Sequence, residues 1–251
     1  MRENELKFYE NVGNWDFSMI NYEKEILTDW DYYKKIAQNT DEHSLCLDLG
    51  TGAGECVLKH YPNVGMIIAT DFSKEMIKTA KENAKKYPEK NVKFVLMDNL
   101  KIIFPENTFD LVSARHTIID AYQIFNCLKE DGTVVIMGVD KNDCLELKQL
   151  FGRGQGQYDE ISISDLDYAN LKEAGFKKFE KVEILINEYY KTEQDLMALL
   201  LKTPILEKIS EYNEKQMLPI EKNLFNEYVK TFKTEKGILL KRNYYGIIAK
   251  K

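Results

Sequence analysis

Residues 46–55, CLDLGTGAGE, close an apolar run on Asp48 and Leu49 and then set Gly50, Gly52 and Gly54 at alternate positions, with Thr51 between the first two. Glycine tolerates backbone conformations closed to other residues, and without a Cβ it lets a ligand approach the main chain closely. A carboxylate two residues before the first glycine suits a ligand that carries an ammonium group. Two phosphate-binding readings fail on the same residues. No Lys-Ser/Thr pair follows to hold a triphosphate and its magnesium, and the spacing is GxGxG rather than GxGxxG, with Glu55 next in line to repel a pyrophosphate.

Two more carboxylates end apolar runs further on: Asp71 in IIATDFS and Asp98 in VLMDN, followed directly by Phe72 and Asn99. An acid at the tip of the strand after a glycine turn can accept hydrogen bonds from ribose hydroxyls, and one at the next tip can accept from an exocyclic amine such as adenine N6. SARHTI then sets Arg115 and His116 at the end of a fourth run. Arg115 there can orient an acidic substrate and His116 can take a proton. Each of these residues also has an ordinary alternative as a turn, pairing or packing residue, and His43 and His60 receive no role.

What must position these residues is a parallel sheet. Runs rich in Val, Ile, Leu, Phe and Met at 45–49, 66–70, 92–97, 109–113 and 133–139 are uninterrupted, as strands covered on both faces are. Helical patterns alternate with them. SKEMIKTAKENAKKY is capped by Ser73, lines Met76, Ile77, Ala80, Ala84 and Tyr87 along one face, and stops before Pro88. The rhythm predicts an α/β fold, doubly wound and Rossmann-like, with a mostly parallel sheet whose ligands bind beyond the carboxyl ends of the strands.

Further along come a helix over about 164–174 that starts at Ser164 and stops at Gly175, a β-like run KKFEKVEILINEYY and a last strand in YYGIIAK. We divide the chain into an N-terminal helical cap segment at 1–43, a ligand-binding core at 44–190, a helical insertion at 191–238 and a closing strand at 239–251. Leu196, Leu199, Leu200, Ile205, Leu206 and Ile209 give the insertion an amphipathic spacing that suits either a cover over the core or a dimer surface. Trp15 and Phe17 in NWDF are candidates to close over a ligand, and GRGQGQ at 152–157, which follows a helix and no strand, reads as a mobile connection.

The pattern resembles the class I S-adenosylmethionine-dependent methyltransferases of the type 11 kind, whose DxGxGxG turn is matched by Asp48, Gly50, Gly52 and Gly54. Asp71, Asp98, FPENTFDLVSARHTI and the hairpin LKEDGTVVIMG occur in the family's order, although Glu130 and Asp131 stand where Pro and Gly are usual. The resemblance implies a seven-stranded sheet with an antiparallel last strand, S-adenosyl-L-methionine as cofactor, S-adenosyl-L-homocysteine as product, and in-line methyl transfer. It also implies where the cofactor lies: its ammonium at Asp48 and the Gly50 carbonyl, its ribose at Asp71 and its adenine at Asp98, with Phe72 and Asn99 alongside. Leu49, Thr51, Gly52, Gly54 and Arg115 complete that set, and His116 and Arg115 are the catalytic candidates.

The formal net charge of −6 leaves no overall positive field to gather phosphates, so nucleic acid is a poor partner for this chain. Motifs of enzymes that methylate base amines or pyrimidine carbons are missing after the fourth run. We expect a small-molecule acceptor and a monomer or homodimer; an RNA or protein methyltransferase, a cofactor-binding module without turnover and an NAD-dependent oxidoreductase are the alternatives. Cys46, Cys56, Cys127 and Cys144 form no CxxC pair and suit buried thiols in a reducing compartment, with neither a disulfide nor a metal site expected. MRENELKFYE lacks the apolar core of a signal peptide and no later stretch suits a membrane span, so the expected location is cytoplasmic.

Overall fold

The computed structural model describes residues 19–206 and 219–251. Its elements run β1 (Tyr22–Ile26), α1 (Tyr32–Gln38), β2 (Leu45–Leu49), α2 (Glu55–His60), β3 (Met66–Asp71), α3 (Lys74–Ala84), β4 (Val92–Leu96), β5 (Phe109–Arg115) and α4 (Ala121–Cys127). Then follow β6 (Leu128–Val139), α5 (Leu145–Phe151), α6 (Ile163–Ala174), β7 (Lys177–Tyr190), α7 (Glu193–Lys202), α8 (Pro219–Phe232), β8 (Lys233–Thr234) and β9 (Gly237–Lys250). Among the described residues no helix is long and apolar enough to cross a membrane, and all four cysteines are free thiols.

One sheet holds every strand, in the order β1-β7-β9-β6-β5-β2-β3-β4, with β8 paired to β9. The pairs β2/β3, β3/β4, β2/β5 and β5/β6 are parallel. The chain steps from β2 outward to β4, then returns to β5 on the other side of β2, so the order reverses between β2 and β5. That reversal opens a crevice beyond their carboxyl ends, where open α/β sheets bind ligands. β9 runs antiparallel between β6 and β7, as expected of the last strand.

The structure corrects the sequence reading at several points. The sheet has nine strands rather than seven, because β1 adds to its edge and the short β8 pairs with the start of β9. Residues 22–26, assigned to a helical cap, are a strand antiparallel to β7, and residues 1–18, with Trp15 and Phe17, lie outside the described residues. An edge strand needs no continuous apolar run, since its outer side faces water and tolerates charge; here Tyr22 stacks on Tyr190 at 5.2 Å and Lys24 reaches Glu188 at 3.7 Å. The closing strand starts at Gly237 and not near 239. Helix α6 starts at Ile163 rather than Ser164, capped by Ser162, which accepts from the Asp165 amide, and Gly175 ends it in the left-handed region as expected. Ser73 caps α3 as expected.

Alternation along the strands splits the core into two apolar layers. On one face Cys46, Ile67, Ala69, Leu111 and Val135 pack against α1, α2 and α3 through Ile36, Leu58 and Ile77. On the other, Leu47, Leu49, Val112, Val134 and Ile247 pack against α4 and α6 through Ile124 and Leu171. The described part of the insertion turns its apolar side into the chain: Leu196, Leu199, Leu200, Ile205 and Leu206 are buried with Leu147 and Phe151 of α5 and Leu240 of β9, while Ile209 lies outside the described residues.

Trp30, just before α1, packs against β9 at Gly246, where a Cβ would come within 2.7 Å of the indole, and its Nε1 donates to Glu180 Oε1 at 2.9 Å. Gly246→Ala is expected to destabilise the protein by about 1–3 kcal/mol through overpacking. Urea unfolding checks this, and an unchanged midpoint would show that Trp30 yields without cost.

Candidate functional site

The turn from β2 to α2 is built by backbone conformations that glycine alone adopts freely. Gly50, Gly52 and Gly54 have φ of +67°, +60° and +78°. Gly50 must also be bare because Thr117 lies against it: a Cβ would sit 2.6 Å from Thr117 Cβ and Oγ1. At Gly54, which caps α2, a Cβ would meet the Phe94 ring at 2.9 Å. The turn is pinned to the tip of β3, where the Thr51 amide donates to Thr70 O at 2.8 Å, the Gly52 amide to Asp71 Oδ2 at 3.0 Å, and Thr70 Oγ1 to Asp48 O at 3.1 Å.

Three carboxylates stand at the tips of three neighbouring strands. Asp48, on β2, is buried and accepts from Ser113 Oγ at 2.7 Å. Burial pushes its carboxyl up to about 6, against the pull of the Ser113 hydrogen bond. Asp71, on β3, accepts from the amides of Gly52 and Ser73; burial raises its pKa and those amides oppose the rise. Asp98, after β4, accepts from the Leu100 amide at 3.0 Å. Asn99 bridges to the loop after β5, its Nδ2 donating to Thr117 Oγ1 at 2.9 Å and to Ile118 O at 3.4 Å. The Phe72 ring is partly exposed at the β3 tip.

Leu49 is buried in the apolar layer with Met97 and Ala114, so only its main chain is available to a ligand. Arg115 turns toward α2, its Nη2 donating to Cys56 Sγ at 3.0 Å. Burial works against its charge, but Cys56, Tyr33 and Tyr32 outweigh it and raise its pKa. His116, with φ of +54°, donates its amide to Met137 O at 2.8 Å and leans on Tyr244 of β9 at 5.0 Å between ring centroids. The residue is open to solvent on one side while protein crowds the other. That desolvation, with the cations of Arg115, Arg242 and Lys24, holds the imidazole well below its ordinary value, so it is neutral at physiological pH.

Sequence reasoning passed over Thr117, Ser113, Tyr61 and Tyr244. A polar residue such as Ser113 inside a central strand is a readable signal; Tyr61 and Tyr244 reach the site only through packing, which leaves no local mark.

A sequence profile described as a methyltransferase domain matches residues 40–245. The chain belongs to the class I S-adenosylmethionine-dependent methyltransferases. It is 31% identical over 110 residues to an uncharacterised methyltransferase, YcgJ, of Bacillus subtilis strain 168, covering 41% of this chain and 43% of that one. It is also 30% identical over 89 residues to a 2-phytyl-1,4-naphtoquinone methyltransferase of Nostoc sp., 34% of this chain and 39% of that protein. The match to the demethylmenaquinone methyltransferase of Geobacillus sp. is 28% over 146 residues, 57% and 61% of the two chains. The chain thus spans from under half to about three fifths of the length of these relatives. Among solved structures, YcgJ superposes with a TM-score of 0.59 at 18% identity, covering 88% of this methyltransferase and 97% of YcgJ.

The residues present in this methyltransferase fit the family's cofactor. The bare Gly50–Gly54 turn leaves the main chain approachable, and the Thr51 hydroxyl is buried at its start, beside the Asp48 carboxyl that it favours in the ionised form. The carboxylates at the three strand tips match an ammonium, a ribose and an amine in chemistry.

Burying Asp48 has a consequence for stability. Its folded pKa of about 6 lies above the ordinary 3.8, so the folded protein holds a proton there that the unfolded chain gives up between those values. Ionisation of Asp48 therefore costs stability that is fully felt above about pH 6 and relieved as pH falls toward 4, amounting to about 3 kcal/mol at neutral pH. Asp48→Asn is expected to melt higher than the parent at pH 7.5, with the gap shrinking as pH drops to 4. Melting curves across that range check the sign.

Proposed function

We propose that this methyltransferase binds S-adenosyl-L-methionine over the 50–54 turn and passes its methyl group in line to a small-molecule acceptor. The observation that carries the reading is the left-handed glycine turn flanked by Asp48, Asp71 and Asp98 on three neighbouring strand tips. The names of relatives support a small acceptor, since two are quinone-type methyltransferases. A solved structure of similar fold, with a TM-score of 0.52, 20% identity and coverage of 88% of this chain and 52% of the other, is a Haemonchus contortus N-methyltransferase in complex with phosphomonomethylethanolamine and S-adenosylhomocysteine. The net charge of −6 argues against a polyanionic partner.

The bound cofactor would supply a methyl group already activated by a sulfonium. The chain has to position and shield it. Asp48 and the Gly50 carbonyl hold the ammonium, Asp71 the ribose hydroxyls and Asp98 the adenine amine, with Phe72 and Asn99 beside the base. Arg115 orients the acceptor, and His116, neutral and open on one side, accepts the acceptor's proton at a ring nitrogen. A base of such low pKa suits an acidic hydroxyl or amine better than an alcohol.

Calorimetry with S-adenosylmethionine, S-adenosylhomocysteine and NAD tests the reading. Micromolar binding of the first two, weakened about 10- to 100-fold by Asp71→Ala through loss of charge-assisted hydrogen bonds, is expected; binding of NAD alone, or of none, would sink it. In an acceptor screen that reads S-adenosylhomocysteine release, His116→Ala should lower kcat about 100-fold without changing cofactor affinity.

A further inference from the structure

We propose that Ser113, in the middle of central strand β5, is a positioning residue that sets the charge and aim of Asp48 and so controls cofactor affinity; this rests on the cofactor reading above. The register makes the pair unavoidable. Asp48 on β2 and Ser113 on β5 are directly paired in parallel, so their side chains leave the sheet on the same face. Ser113 is fully buried at a position where its neighbours Leu111, Val112 and Ala114 are apolar members of the core.

A hydroxyl there requires partners, and it has them in series. Ser113 Oγ lies 2.7 Å from Asp48 Oδ1 and 3.0 Å from Tyr61 Oη. Ser113 has one proton and the carboxylate accepts only, so Ser113 donates to Asp48 and Tyr61 donates to Ser113. Tyr61 is itself buried and sits at the C-terminus of α2. The relay therefore runs from the far end of the helix that the glycine turn begins back to the carboxylate before that turn. Apolar residues in these three places would pack with less desolvation cost. What the hydroxyls add is a fixed, ionised Asp48 beside the turn.

The other groups facing Asp48 are Arg115 from β5, Asp71 from β3, Tyr32 and Tyr33 from α1, Tyr61 from α2, and Cys46 on its own strand. Arg115 favours the carboxylate and Asp71 opposes it. Burial pushes the Cys46 thiol up to about 12 and raises the three tyrosines, so all four stay neutral through the physiological range. Ser113→Ala leaves every one of these groups in place, as well as the Thr51 hydroxyl that also favours the carboxylate, and removes the hydroxyl that lies 2.7 Å from it.

The experiment compares Ser113→Ala, Ser113→Thr and the parent by S-adenosylhomocysteine calorimetry from pH 5.5 to 8, and by melting of the cofactor-free proteins over the same range. Losing the hydroxyl should raise the Asp48 midpoint by roughly one unit, a tenfold change in its ionisation constant. Ser113→Ala should then bind about tenfold more weakly than the parent at pH 5.5 and within about twofold at pH 8, with Ser113→Thr near the parent throughout. In the melts, the break near pH 6 should move up by about the same unit in Ser113→Ala and vanish in Asp48→Asn. A deficit in Ser113→Ala that is constant with pH, or an unmoved break in its melts, overturns the proposal and leaves Ser113 a packing residue. If the parent binds no S-adenosylhomocysteine at all, the cofactor reading fails, and the melts still decide whether Ser113 governs Asp48.

Discussion

The site depends on the parallel register of β2 between β3 and β5. Asp48 pairs with Ala69 on one side and Ser113 on the other, which fixes the height of the strand tips relative to one another. A slip of one residue would turn Asp48 and Ser113 to opposite faces and aim the carboxylate into the layer that now holds Leu47 and Leu49. The buried alternation of Leu47 and Leu49 against Cys46 forbids that slip, so hydrophobic packing on both faces sets the geometry of a polar site whose buried carboxylate works against stability.

The other half of the sheet is organised by a buried charge network. Arg242 on β9 makes a bidentate pair with Asp143, at 2.9 Å for both contacts, and reaches Glu188 on β7 at 3.2 Å. Glu188 also accepts from Tyr190. Such a pair offers little net stability over an apolar core, yet removing one partner costs about 3–5 kcal/mol, so its effect is to fix one arrangement. The arrangement fixed is the loop after β6 against β9 and β7. Tyr244, two residues from Arg242 and with the guanidinium over its ring at 5.0 Å, gains a defined place from it, and Tyr244 is the surface on which His116 rests.

The parallel half was legible in the sequence because its strands are uninterrupted apolar runs and its glycines fall directly after one of them. Each turn acid could be found, since a strand tip is marked by where the apolar run stops. β1 was not legible: with YEKEI on an edge, nothing local separates a strand from a charged coil or helix, and its pairing to residues 186–190 is a long-range fact. The helix expected to start at Ser164 starts at Ile163, because Ser162 and Ser164 are both serines at a plausible boundary and only the Asp165 amide, which donates to Ser162, decides between them. Tyr61, Tyr244 and Thr117 belong to the site by tertiary contact, a property no local pattern encodes.

The two glycine runs show why context rather than composition carries the functional signal. A run of glycines says only that something comes close to the backbone. At 50–54 part of what comes close is Thr117 and Phe94, and the turn stands past a strand tip beside the buried Asp48 carboxyl. At 152–157 what comes close is the stem of Lys148, which a Cβ on Gly154 would strike. Its Nζ donates to Lys141 O at 2.7 Å and Gln155 O at 2.8 Å, and the Gln155 amide in turn reaches Ile205 O. That loop, read from its glycines as a mobile connection, is tied to α5 and the insertion by a buried lysine. Gly154 there makes room for a side chain of the protein, whereas the glycines after β2 bare the main chain beside three strand-tip carboxylates.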